Sequence, residues 1–118
     1  MTLAHEAGED DEYVVCALLH DIGDMLTSWS RPYLAVAIFR PFVSEESLWM
    51  VEKHGIFQGN YLFDHYLFDH IGTDRNMRKQ FCGHPCFEHT EHFCPVYDNP
   101  AFDPKLECAS LEFFEPML

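Results

Sequence analysis

Apolar positions recur at helical spacing over most of the chain, and strand-like alternation does not stand out. Val14, Val15, Leu18, Leu19, Ile22, Met25 and Leu26 return every three or four residues, which predicts a largely buried helix. Asp10 or Asp11 stands where its N-cap belongs. Thr27 to Pro32 reads as a short loop, with Pro32 suited to the first turn of the next helix, where its missing N–H costs nothing. That helix carries Leu34, Ala35, Ala37 and Ile38 and stops before Pro41, whose ring disfavours helical backbone in the preceding residue. Ser44 caps a further helix, with Glu45 and Glu46 set favourably against the positive end of its dipole. Leu48, Met50 and Val51 face inward there, and His54 is expected to end the helix against Gly55, a common C-terminal stop.

Downstream, an amphipathic helix starting at Pro85 is expected to bury Phe87, Phe93 and Cys94 and to leave Glu88, His89 and Glu91 in solvent. Tyr97-Asp98 ends it before the Asn99-Pro100 turn, and Ala109 to Pro116 reads as a short helix or docked segment. The pattern predicts an all-α fold, one domain over residues 1–118.

Composition agrees with a folded core: 47% of the 118 residues are hydrophobic, and 11 are Phe. A formal charge of −13 would repel phosphates, so no nucleic-acid partner is expected. No apolar run approaches the roughly 18 residues of a membrane span, and no basic-then-apolar signal opens the chain. The expected setting is therefore cytoplasmic, with no membrane partner. Cys16, Cys82, Cys86, Cys94 and Cys108 make an odd number, read as reduced thiols instead of a disulfide framework.

The candidate chemistry starts at His20-Asp21. With eight His in the chain the bare doublet is uninformative, but its place on an apolar helix changes that. Buried imidazole and carboxylate groups need partners, because unpaired polar groups in a core are costly. A metal ion is one such partner; ordinary core hydrogen bonds and a helix cap are the other. A second cluster, Cys82, His84, Cys86, His89, His92 and Cys94, has the ligand types of a zinc site. Its residues crowd onto what reads as one helix, whose single face cannot surround an ion, so the amphipathic reading is preferred. Tyr61 to His65 is repeated at once as Tyr66 to His70. Asp64, His65, Asp69 and His70 could form an added metal cluster, but a local duplication near a helix end is the simpler reading. Inside a helix, five extra residues would rotate the downstream segment by about 140°.

Leu18-Leu19-His20-Asp21-Ile22-Gly23 resembles the central motif of the HD-domain superfamily of metal-dependent enzymes. The likeness continues through Ala37 to Glu46, His54 to Gly59, Asp74 to Arg78 and Leu111 to Met117. Within that superfamily the chain is similar to the mixed-valent di-iron oxygenases, relatives of myo-inositol oxygenase and of the phosphonate-cleaving oxygenases. The resemblance implies an HD-type helical bundle with His20, Asp21, His54 and Asp98 as metal ligands. Iron is the implied cofactor, another divalent metal the alternative, and a small oxygenated organic molecule the implied substrate. No catalytic residue beyond the ligands is assigned.

Two ligands of the family pattern are missing. One belongs to a helix well upstream of the doublet. His5, the only candidate, reads as a solvated terminal residue, so the chain is expected to be an N-terminally truncated bundle lacking its first helix. The other falls at Arg31, which has no lone pair to give. Arg31 is expected to stand in for a cation, facing Asp21, Asp24 and Asp98. Gln58 occupies the place of a substrate-holding Lys in the phosphonate-cleaving relatives, which argues against an anionic substrate. Arg31 and Gln58 are thus the substrate-side candidates. Four ligands suit one metal better than two. An impaired oxygenase, a metal-dependent phosphohydrolase and a degenerate scaffold remain as functional classes. A bundle missing a helix would also expose the stripe that helix covers, so self-association is expected.

Overall fold

An 18-residue helix, Glu45–Leu62, forms the spine against which most other elements pack. The computed structural model describes residues 1–26, 31–62 and 77–118, without the side chains at 24, 25, 31 and 60–62. In chain order the helices are α1 (Thr2–Ala7), α2 (Asp11–Leu19), α3 (Ile22–Leu26), α4 (Arg31–Phe39), α5 (Glu45–Leu62), α6 (Phe87–Phe93) and α7 (Leu111–Phe114). Three-ten turns cover Met77–Phe81, Asn99–Phe102 and Glu115–Met117, and a π-helical turn covers Cys94–Asp98. No strand occurs among the described residues, so the all-α class holds.

Local chemistry sets the helix starts. Asp10 Oδ1 accepts the Tyr13 N–H at 2.8 Å and caps α2. Ser44 Oγ accepts the Ser47 N–H at 3.2 Å and caps α5. Glu12 then ties the two caps together: its Oε1 accepts from Ser44 N at 2.9 Å and from Ser44 Oγ at 2.6 Å. Gly8 closes α1 in the left-handed region at φ 86°, where a side chain would be strained.

The core is built where α5 meets α2, α4, α6 and the π-helical turn. Val14, Met50, Val51, Phe57, Phe93 and Phe114 are essentially fully buried. Trp49 meets Phe57 edge-on at 5.7 Å and stacks on His84 at 4.5 Å.

Several expectations are corrected here. Helix α5 does not end at His54 but runs through Gly55 to Leu62. Glycine inside a helix costs about 1 kcal/mol; burying a side chain such as Phe57 returns roughly 1.5–3 kcal/mol, and Phe57 lies beyond the glycine with no exposure. The apolar stretch from Val14 to Leu26 is not one helix: it breaks at the His20-Asp21 turn, and Leu26 is 66% exposed. Helix α6 starts at Phe87, with Pro85 in the preceding turn. His89 is not simply solvated, because its ring packs edge-on against Tyr13 at 5.0 Å. Nor is His5 a free terminal residue. It packs edge-on against Phe113 at 5.0 Å and Phe114 at 6.1 Å, because α1 meets the C-terminal segment. That six-residue α1 precedes α2 and lends Ala4 to the core. The expected loop residues 27–30 and the tandem-repeat candidates Asp64, His65, Asp69 and His70 lie outside the described residues.

Apolar surface is open on one side. Phe42 is 79% exposed, and a cavity of about 350 Å³ is bounded by Val15, Leu19, Ile38, Phe39, Phe42 and Met117 among others. No helix among the described residues is long and apolar enough to cross a membrane.

Candidate metal centre

The end of α2 delivers the first pair. Helix α2 stops at Leu19, and His20 and Asp21 form the turn into α3. His20 Nδ1 lies 3.0 Å from the Ala17 carbonyl, three residues back. A carbonyl only accepts, so Nδ1 carries the proton and Nε2 points away from the backbone into the interior. His54 repeats the device on α5, with Nδ1 2.7 Å from the Val51 carbonyl. The two rings meet edge-on with centroids 4.6 Å apart, and Phe93 closes one side at 5.2 Å from His20.

Two carboxylates fill the space between the imidazoles. Asp21 Oδ2 lies 3.2 Å from His20 Nε2, and Asp21 Oδ1 lies 3.2 Å from His54 Nε2. Asp98 Oδ1, at the end of the π-helical turn, lies 3.6 Å from His20 Nε2. Of the four residues expected as ligands, His20, Asp21 and His54 bring ligand atoms within 4.8 Å of one another, and Asp98 lies beside His20 outside that group. Their exposures differ: the Asp98 side chain is 4% exposed and that of Asp21 52%, so the cluster has a dry floor and an open edge.

Electrostatics follow from this crowding. Burial alone would lower the His20 pKa, but the nearby Asp21 and Asp98 carboxylates raise it to about 9. The His20 imidazole, then His54, hold Asp21 well below the usual carboxylate range, against the opposing effect of its burial. Yet the geometry satisfies the ring incompletely. His20 Nε2 is buried and makes no aligned hydrogen bond, although two carboxylate oxygens lie nearby.

The donor set fits a metal ion. In a tetrahedral site with bonds of about 2.0 Å, neighbouring donors stand roughly 3.3 Å apart. The His20, Asp21 and His54 ligand atoms, within 4.8 Å of one another, are near enough to close on one ion. His20, Asp21 and His54 are also the group of three or more metal-type ligands that close together among the described residues; the Cys82 to Cys94 stretch provides none. Nitrogen and carboxylate donors of this kind suit iron, zinc or nickel better than magnesium.

Gln58 is where sequence reasoning fell short. Its side-chain Nε2 donates to Asp98 Oδ2 at 2.7 Å, so the amide faces a ligand candidate. The spacing from His54 puts Gln58 on the same helix face, but nothing local reveals its partner. The Arg31 and Asp24 side chains lie outside the described residues, so the expected cation substitution does too. A small cavity of about 30 Å³ adjoins His20 and Asp98, lined also by Met1, Ala17, Phe93, Tyr97 and Ala101. No family model, curated protein or solved structure matches this chain.

Proposed function

We propose that the chain is a metal-dependent domain of the HD type, holding one iron ion through His20, Asp21, His54 and Asp98 for oxygenase chemistry on a small organic substrate. The observation that carries this reading is His20 Nε2: buried, unsatisfied by any aligned hydrogen bond, and facing two carboxylates. A cation seated among these groups would satisfy it and neutralise the carboxylates together.

Two imidazoles with carboxylate ligands suit a non-haem iron site as well as a hydrolytic zinc site, and the likeness to the oxygenase branch is what favours oxygenase chemistry here. Bound iron would supply dioxygen activation. The chain's own residues do the rest. The Ala17 and Val51 carbonyls fix the ring tautomers and present both Nε2 atoms. Phe93 keeps water from one side, and Asp98 brings a buried carboxylate beside His20. The open edge at Asp21 is the side from which a substrate can approach.

The test is elemental analysis of the purified full chain, followed by anaerobic iron(II) titration. One iron per chain is expected, with His20→Ala and His54→Ala each weakening binding by at least about tenfold. A wild-type chain that takes up no transition metal overturns the reading, and metal-dependent phosphate release from nucleotides reassigns it to hydrolysis.

A further inference from the structure

Asp98 is a buried carboxylate whose two oxygens have different partners. Oδ1 faces His20 Nε2 at 3.6 Å, and Oδ2 accepts from the Gln58 amide at 2.7 Å. Gln58 sits one turn beyond His54 on α5, so a single helix face carries a candidate ligand and the group that grips another. We infer that Gln58 is a positioning residue: it occupies one oxygen of Asp98 and leaves the other to bind the ion. This rests on the metal reading above and concerns Asp98 alone.

The choice of an amide matters. A buried carboxylate needs a donor for each side it turns away from the metal, or it pays the desolvation of an unmet lone pair. A Lys or Arg in that place would supply the donor but also pair with the charge that a cation needs. A neutral amide holds the carboxylate and leaves its charge intact. The grip also restricts rotation of a carboxylate at the end of the π-helical turn. Outer partners of this kind orient ligands and tune affinity.

A purely architectural role would make Gln58 a tie between α5 and the π-helical turn, and the two roles predict different behaviour. Iron(II) and zinc(II) affinities of the full chain are measured by chelator competition for wild type, Gln58→Met and Gln58→Lys, with thermal melts of the metal-free proteins alongside. Gln58→Met keeps the length and loses the donor; binding should weaken by roughly 10–100-fold at unchanged stoichiometry. Gln58→Lys keeps a donor and adds charge; its metal-free melting temperature should match or exceed wild type while its metal affinity still falls. Wild-type affinity in Gln58→Lys, or in a folded Gln58→Met, overturns the inference while leaving the metal site standing. A wild-type chain that binds neither ion removes both.

Discussion

Asp21 touches both imidazoles although half of its side chain faces solvent. Exposed ion pairs contribute little to stability, in the range of about 0–1 kcal/mol. The same carboxylate would be a principal ligand. Asp21→Asn should therefore lower iron affinity by at least about tenfold while shifting the metal-free unfolding free energy by less than about 1 kcal/mol. Chemical denaturation and metal titration of the same preparation check both halves. A large stability loss with unchanged affinity would make Asp21 structural. At this scale the grouping of His20, Asp21 and His54 was legible, because all three are metal-type residues singled out in the sequence. The Gln58 contact was not, since it joins residues 40 positions apart through a turn whose winding no local pattern announces. His5 was misread for a related reason: the rings of Phe113 and Phe114 decide its environment from the far end of the chain.

Among elements, α5 shows where local signals fail. Gly55 is a fair stop signal by itself, but the apolar residues beyond it outweigh the signal, so boundaries are set by burial as much as by propensity. The turn at Cys94–Asp98 was equally hidden. Pro95 has no N–H for a regular helical bond, which disfavours the α-helix without saying what replaces it. The Glu12–Ser44 link makes a testable statement about how α2 and α5 are held. Hydrogen bonds from Ser44 keep the Glu12 pKa below its ordinary 4.5, so the charged form is favoured in the folded state. A lowered folded pKa contributes stability that is present above 4.5 and fades as pH falls through the folded value. Glu12 is only partly buried, so solvent screening discounts the contribution. Glu12→Ala should cost about 1 kcal/mol at pH 7, and the gap from wild type should narrow steadily below pH 4.5. Urea titrations at several pH values measure it. A gap that stays constant down to pH 3 would show that the charge plays no part.

The whole molecule sets charge against exposed apolar surface. At neutral pH the formal charge is −13, and copies repel one another. Phe42 and Leu118 nevertheless stand 79% and 71% exposed, and hydrophobic surface of this kind favours association once repulsion fades. Two routes remove the repulsion. Lowering the pH toward the isoelectric point near 4.7 protonates carboxylates, and added salt shortens the screening length to about 8 Å at physiological ionic strength. Light scattering should therefore rise as pH falls from 7 to 4.7, and should rise less when salt is raised at pH 7. Unfolding is a competing cause of scattering, so near-ultraviolet circular dichroism must show intact aromatic packing through the same range. Phe42→Ser separates the remaining explanations. If exposed apolar surface drives association, the substitution should reduce scattering at pH 4.7 while leaving the dichroism unchanged. Equal scattering by the two proteins would mean that loss of charge alone brings the copies together.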